Sequence, residues 1–220
     1  MKKSTEKILK ELTARYPALA AVENDVRNAY MTLYECFAEG GRVYLCGNGG
    51  SAADCEHMAG ELLKCFKIPR PLESDFKAAL REFGEDGAVL ADNLERGLPV
   101  VSLCGHVAFS TAFQNDNTPA LVFAQQVNAY GRAGDVLVLF STSGNSQNCV
   151  YAAVCAKALG IKTVTLTGGT GGKLKAFSDV AIVAPAKETY QIQEYHLPVY
   201  HALCAMIEEE FFGTADDSVK

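Results

Sequence analysis

Five short apolar runs, rich in β-branched and aromatic residues, constrain the fold of this chain more than any other feature. They lie at residues 43–46, 99–104, 135–140, 162–167 and 180–184. Each is followed by glycine, serine or threonine, and most lead into a stretch with helical periodicity. Continuous apolar strands that alternate with helices are typical of a parallel sheet covered on both faces. We therefore predict an α/β fold, a doubly wound three-layer sandwich with a five-stranded parallel sheet.

Two further segments have helical patterns outside this alternation. Residues 1–39 carry apolar residues at spacings of three and four and are followed by Gly40, as a helix C terminus prefers. Residues 66–98 are longer than one crossover needs, and we expect two short helices there. The sequence thus predicts one domain over residues 1–220, with the N-terminal helices packed outside the sheet.

Charge and cysteine pattern exclude several classes of function. The net charge is −6 without a basic stripe, which argues against nucleic acid as a partner. No apolar run reaches membrane-spanning length, so we expect no membrane partner. The eight cysteines are scattered without a C-x-x-C pair, mostly inside apolar runs. That pattern predicts buried, reduced thiols in a cytoplasmic protein rather than a thiolate zinc site.

The loop after the third run is rich in hydroxyl groups. In open α/β sheets, ligands bind beyond the carboxyl ends of the strands, where loops lead into helices. The hydroxyls surround Gly144 just before a helical pattern, at Ser141, Thr142, Ser143 and Ser146. One such residue would serve as an ordinary helix N-cap. Four of them favour a phosphate site, because free amides and the helix dipole attract anions there.

The loop after the first run is rich in glycine. Gly47, Gly49 and Ala52 satisfy the dinucleotide fingerprint G-x-G-x-x-G/A. That fingerprint also needs an acidic residue near the end of the second strand, where this chain has none. No G-K-[ST] follows either. We therefore predict no nucleotide cofactor.

Histidines and a carboxylate follow on two helices. His57 and Glu61 lie one helical turn apart on one face, which is equally the pattern of a surface ion pair. We expect both to lie in the first turns of a helix that starts at the ligand crevice, and this placement favours a functional role. On the last helix, Gln193 and His201 lie along one broad side. Pro198 should kink that helix or mark its start.

Taken in order along the chain, these motifs resemble the sugar isomerase (SIS) fold. The segments are "CGNGGSAADCEHMAGEL", "NDN", "GDVLVLFSTSGNSQN", "TLTGGTGGKL" and "QIQEYHLPVYH". They are most similar to phosphoheptose isomerases, which interconvert sedoheptulose 7-phosphate and glycero-manno-heptose 7-phosphate. The resemblance spans residues 15–212.

The resemblance implies a role for each matching residue. The phosphate would be held by hydroxyl side chains, at Ser51, Ser141, Thr142, Ser143 and Ser146. Further substrate contacts would come from Asn48, Gly49, Asp116 and Gln193. Glu61 would be the base that takes a proton beside the carbonyl, with His201 as the acid/base partner, through an enediol. The zinc ligands of bacterial relatives correspond to His57, Glu61, Gln193 and His201. Because Glu61 cannot easily be both a tight zinc ligand and a free base, a structural metal, a regulatory metal and a partly occupied site all stay open.

Other readings and departures remain open at this point. One relative with this fold binds a replication initiator and lacks the matching carboxylate and histidine, whereas this chain has both. Sugar-phosphate-sensing regulators normally carry a DNA-binding domain as well. Departures from the family pattern are the long 66–98 segment, Pro198, and a second-strand loop that should place His106 near the crevice. They put the identity of the sugar in doubt more than the reaction.

We also expect a homo-oligomer, a tetramer by resemblance. The reason is that one sheet should not bury all the apolar N-terminal helices. Subunit contacts would then complete the site, and Glu61 and His201 could come from different chains.

Overall fold

The computed structural model describes residues 1–214, so the last six residues of the expected domain lie outside it. A single sheet of five parallel strands confirms the predicted α/β class. Its order is β2-β1-β3-β4-β5. The strands are β1 (Val43–Gly47), β2 (Val100–Ser102), β3 (Val136–Phe140), β4 (Lys162–Gly168) and β5 (Val180–Ala184). Only the edge strand β2 is clearly shorter than its apolar run.

Helices connect the strands and precede the sheet. They are α1 (Lys3–Arg15), α2 (Glu23–Ala38), α3 (Gly50–Leu63), α4 (Ser74–Arg81), α5 (Gly84–Asn93), α6 (Val107–Asp116), α7 (Val122–Tyr130), α8 (Gln147–Ala158) and α9 (Thr189–Phe212). Short 3-10 helices lie at 17–22, 119–121 and 173–177. The pair α4 and α5 confirms the two short helices predicted within 66–98. Within residues 1–214, no helix has the length and apolarity needed to cross a bilayer.

Each face of the sheet carries its own apolar core. Along β1, Val43 and Leu45 point into a core shared with α1, α2, α3 and α9. Tyr44 and Cys46 point the other way, into a core shared with α7 and α8. This alternation is the two-residue period of a strand. The two cores make the three layers that the sequence predicts.

The N-terminal helices are buried within one chain. Leu9, Leu19 and Val26 are fully buried, because α1 and α2 both pack against the long helix α9. As expected, the sheet alone does not bury all of these helices, but α9 supplies the remaining surface within the same chain, so an oligomer does not follow from this expectation. An oligomer needs a different argument.

Pro198 lies inside α9, which is assigned as one helix over Thr189–Phe212. It does not mark the start of the helix. The missing N–H removes one intrahelical hydrogen bond to the carbonyl four residues earlier. Packing of α9 over both the sheet and α1 compensates for that loss.

Near its C-terminal end, α9 holds the segment that leads to α4. The carboxylate of Glu208 accepts hydrogen bonds from the main-chain N–H groups of Phe66, Lys67 and Ile68, at 2.7, 2.7 and 3.1 Å. It also accepts one from Nε of Arg70, at 2.9 Å. Both charged side chains of this pair are fully buried. This clamp fixes residues 66–70 against α9.

Candidate active site

The hydroxyl-rich loop between β3 and α8 is tightly folded. Oγ of Ser141 lies 3.0 Å from Oγ of Ser146, so the two ends of the loop meet. Gly144 has φ +63°, and a Cβ there would lie 1.9 Å from the carbonyl oxygen of Gly171. Only glycine fits this position. The loop after β4 thus supports the loop after β3.

The simple capping interpretation of these hydroxyls is wrong. Ser146 occupies the N-cap position of α8, yet its side chain makes no capping hydrogen bond. Ser143 Oγ instead accepts the N–H of Asn145 at 3.1 Å. The first-turn N–H groups of α8, with hydroxyls beside them, therefore form a site suited to an anion. We call residues 141–146 the phosphate loop.

The glycine-rich loop after β1 lies beside the phosphate loop. Asn48 and Asn148 exchange two amide hydrogen bonds, at 3.0 and 2.7 Å, and so join the glycine-rich loop to the first turn of α8. Ser51 is buried at the start of α3. Nε2 of Gln193 would lie 2.6 Å from a Cβ at Gly50, so glycine lets the amide of α9 reach the start of α3. Asn48, Ser51 and Gln193 thus all lie at the carboxyl edge of the sheet.

His57, Glu61 and His201 form a second cluster. Nε2 of His57 lies 3.2 Å from Oε1 of Glu61. The rings of His57 and His201 meet edge to face, with centroids 4.9 Å apart. Nε2 of His201 is buried and has no hydrogen-bond partner among the described residues. Burial, together with the nearby His57, lowers the pKa of His201, so its imidazole is neutral at neutral pH.

Tyr200 and Asp54 lie behind His57. The hydroxyl of Tyr200 is 2.9 Å from Nδ1 of His57 and 3.4 Å from Oδ1 of Asp54. Burial raises the pKa of Asp54. Tyr200 itself is almost completely buried.

The two clusters are separated along α3. His57 is in the middle of the helix and Glu61 is in its last turn, not in the first turns as expected. Ten residues separate Ser51 from Glu61, which corresponds to about 15 Å at 1.5 Å per residue. Glu61 and His201, by contrast, both adjoin His57 in a single chain. Different chains are not needed to bring these two residues together.

A zinc site with the four expected ligands is not assembled within one chain. The 3.2 Å between His57 and Glu61 fits the edge of a zinc tetrahedron, roughly 3.3 Å for bonds of 2.0–2.1 Å. The side chain of Gln193, however, lies beside Gly50, which is two turns of α3 before His57. Over residues 1–214, no three His, Cys, Asp or Glu side chains form a metal-binding group. The donor types fit zinc, but their positions in one chain do not.

Three polar residues lie elsewhere than expected or have a structural role. Asp116 is exposed at the end of α6 and accepts a hydrogen bond from Asn115. His106 lies in a separate cleft of about 420 Å³, beside Tyr130 and away from His57. His196 is buried against the carbonyl of Thr167. Burial lowers its pKa to about 4, so it stays neutral.

Two residues of the cleft beside Asn48 were not identified from the sequence. Gln114 and Cys104 line a cleft of about 230 Å³ together with Asn48 and Gly49. A hydrogen bond with Cys55 lowers the pKa of Cys104 to about 7, against burial. The apolar sequence around Cys104 gave no signal of this lowered pKa, because the contact with Cys55 depends on how α3 packs against β2.

Comparison with known proteins identifies relatives over most of the chain. The family profile described as the SIS domain matches residues 9–97 and 95–168. A phosphoheptose isomerase of Akkermansia muciniphila is 34% identical over 90% of this chain and 92% of its own length. One from Helicobacter pylori (strain P12) is 37% identical over 88% of each chain. The solved structure of a phosphoheptose isomerase from Neisseria gonorrhoeae has a TM-score of 0.71 at 32% identity, covering 91% of this chain and 94% of that one.

Proposed function

We propose, from the premise that this chain belongs to the SIS domain family, that it is an aldose–ketose isomerase of phosphorylated sugars. Relatives more than 30% identical over most of both chains are phosphoheptose isomerases. The substrate that this similarity favours is sedoheptulose 7-phosphate, converted to glycero-manno-heptose 7-phosphate. The observation that carries the proposal is the pairing of an anion site at the phosphate loop with a separate cluster of carboxylate and imidazole groups.

The phosphate loop would bind the phosphoryl end of the sugar. Ser141, Thr142, Ser143 and Ser146 supply hydroxyl donors, and the first turn of α8 supplies N–H groups and a favourable dipole. Ser51, Asn48 and Gly49 lie at the neighbouring loop and would contact the phosphate and the adjacent hydroxyls. Gln114 is better placed than Asp116 for that second role, because it lines the cleft with Asn48.

Glu61 and His201 would act on the reacting carbons. Glu61 takes the proton from C1 of the ketose, and the electrons form the enediol. His201 moves the proton between the two oxygens, for which its neutral ring and unpaired Nε2 are suited. The carboxyl proton of Glu61 exchanges with solvent at this stage, and Glu61 then delivers a proton to C2, which gives the aldose. No net proton is gained or lost.

The separation of the two clusters supports a site shared between copies of the chain. An extended seven-carbon sugar phosphate spans roughly 10 Å, from single bonds of about 1.5 Å. That is shorter than the approximate 15 Å from Ser51 to Glu61 along α3. A second copy can bring its own phosphate loop to Glu61. A cleft of about 470 Å³ beside His201, lined in part by Tyr16 and Phe66, is open to receive it.

A complementation experiment tests this sharing. One variant carries alanine at Ser141, Ser143 and Ser146, and the other carries Glu61→Gln. Each is expected to be inactive alone. In mixed oligomers from co-expression, the first variant supplies an intact Glu61 and the second supplies an intact phosphate loop. Activity is recovered only if one site takes these two parts from different copies. No recovery, in oligomers shown by light scattering to be mixed, would place the whole site within one chain.

Zinc binding is proposed only for such an assembly. His57, Glu61 and His201 would be joined by Gln193 of another copy, and the ion would polarise the sugar oxygens. Elemental analysis of protein purified without chelator measures this. Zinc at one ion per chain in the oligomer supports the proposal, and oligomers that stay free of zinc after incubation with it contradict it.

Turnover assays test the activity itself. Purified protein is incubated with ketose phosphates of five to seven carbons, and the aldose product is measured. Turnover is expected with the seven-carbon substrate and is expected to be lost in Glu61→Gln. Glu56→Gln is the matched control on the same helix, because Glu56 contacts Ser102 on the other side. Binding of these sugars without turnover of any would favour a non-catalytic binding module instead.

A further inference from the structure

Cys104 is a thiol at the edge of a cleft. It is partly exposed, and it lines the cleft of about 230 Å³ that Asn48 and Gly49 also line. Its Sγ lies 3.4 Å from the carbonyl oxygen of Gly47, the last residue of β1, from which the glycine-rich loop continues. The proposed isomerisation uses no sulfur atom. Small reactants from solvent can nevertheless reach this thiol through the cleft.

The packing of α3 against the loop after β2 brings Cys55 beside Cys104. Oε1 of Glu56, the residue after Cys55, accepts a hydrogen bond from Oγ of Ser102 at 2.6 Å. The same oxygen would lie 3.3 Å from a Cβ at Gly105. Residues 102 and 105 flank Cys104, so α3 is held against this loop on both sides of it. Cys55 is fully buried and donates a hydrogen bond to Sγ of Cys104, so solvent reaches only Cys104 of the two.

This pair differs in reactivity from the other thiols. The hydrogen bond from Cys55 lowers the pKa of Cys104 to about 7, against burial and the nearby carboxylate of Glu56. About half of Cys104 is therefore thiolate at neutral pH, and the thiolate is the form that is oxidised. The other two partly exposed cysteines, Cys65 and Cys155, have raised pKa values, through a hydrogen bond to a carboxylate in the first case and through burial in the second. An accessible thiol of low pKa beside a second thiol is the usual arrangement of a redox-sensitive cysteine.

We propose that Cys104 is a site of reversible oxidation by peroxides and that Cys55 is its resolving thiol. The thiolate of Cys104 attacks one oxygen of hydrogen peroxide. The O–O bond breaks and hydroxide leaves, which oxidises the sulfur to a sulfenic acid and reduces the peroxide. The sulfur of Cys55 then attacks the sulfenic sulfur, and the S–O bond breaks. A disulfide forms, and the thiol proton of Cys55 leaves with the hydroxyl group as water.

Mass spectrometry of the whole protein tests the site without sugar or metal. Fully reduced protein is treated with equimolar hydrogen peroxide at neutral pH, and the remaining thiols are alkylated in denaturant. We expect two of the eight cysteines to escape alkylation, and a peptide map without reductant should contain a disulfide between Cys55 and Cys104. Dithiothreitol should restore both thiols. A disulfide between any other pair, Cys104 left reduced, or oxidation of Cys104 only to the sulfinic acid would overturn the proposal, whether or not variants fold.

Variants separate the two roles. In Cys55→Ser, the sulfenic acid of Cys104 has no resolving thiol and should be trapped by dimedone. Cys104→Ser should leave Cys55 reduced, because Cys55 is buried. Cys155→Ser is the matched control and should form the disulfide as the wild type does. Oxidation of Cys55 in Cys104→Ser would contradict the assignment of roles.

The rate of oxidation is a measurement that needs no variant. At neutral pH, a thiol with a pKa of about 7 has roughly 15 times the thiolate of an ordinary cysteine. Its lower nucleophilicity offsets about fivefold of this advantage, so Cys104 should be oxidised at least about threefold faster than Cys65. Faster oxidation of Cys65 would count against the proposal.

Disulfide formation would also act on the cleft. A disulfide sulfur carries no proton, so the carbonyl oxygen of Gly47 would lose its hydrogen bond from Cys104. This consequence rests on the proposed function, and we expect oxidation to raise the sugar KM and dithiothreitol to restore it. An unchanged KM would refute the effect on the cleft. A protein that forms the disulfide but turns over no sugar in either state would refute the proposed function and leave the oxidation site intact.

Discussion

Removal of the Glu208 carboxylate should destabilise the protein strongly. Glu208 and Arg70 are a fully buried ion pair. In Glu208→Ala, the guanidinium of Arg70 stays buried without its counter-charge, which costs about 3–5 kcal/mol in comparable cases. For a chain of this length, about 2–4 °C of Tm is lost per kcal/mol, so we expect a fall of roughly 6–20 °C.

The assay is thermal unfolding at one fixed protein concentration, because an oligomer makes Tm concentration-dependent. Glu209→Ala is the control at the next position of α9. Replacing both partners, with Arg70→Met and Glu208→Leu, should recover most of the loss. The three N–H groups that Glu208 accepts are only partly buried and can be hydrated. A Tm change in Glu208→Ala no larger than in the control, or a double variant less stable than the single one, would refute this reasoning.

Three further results are expected. Ser146→Ala should raise KM about 10–100-fold with a smaller effect on kcat, because a hydrogen bond to a charged group contributes about 1.5–3 kcal/mol; an unchanged KM would argue against phosphate binding at this loop. Inorganic phosphate should raise Tm in the wild type by binding the native state, and less so in Ser146→Ala. Alkylation of Cys104 should rise with pH around its pKa of about 7, since the thiolate is the reactive form. In Cys55→Ala that profile should move to higher pH, because the hydrogen bond that lowers the pKa is lost; a profile that does not move would contradict this.

The sheet was predictable from the sequence because its strands are buried on both faces. Residues 136–140, for example, are apolar at every position, and turn residues follow them. Their order in the sheet and the packing of α9 over α1 could not be predicted. Both depend on contacts between segments that are distant in the sequence, by about 200 residues for α1 and α9, and such contacts leave no local periodicity.

The site was predictable in part. Hydroxyls around Gly144 and the His57–Glu61 spacing are local patterns, and the helical rise alone implies the distance between Ser51 and Glu61. Tyr200 gave no signal, because a tyrosine in an apolar helix has the pattern of an ordinary core residue. Only the packing of α9 on α3 brings its hydroxyl to His57.

Proton transfer through an enediol, with Glu61 as the base, is the central claim. It is tested most directly by running the reaction on sedoheptulose 7-phosphate in D₂O and locating deuterium in the aldose by NMR. We predict deuterium at C2 of the product, and in Glu61→Gln the loss of both turnover and exchange, with Glu56→Gln behaving as wild type. Turnover with no deuterium at C2, or exchange that persists in Glu61→Gln, would contradict the account.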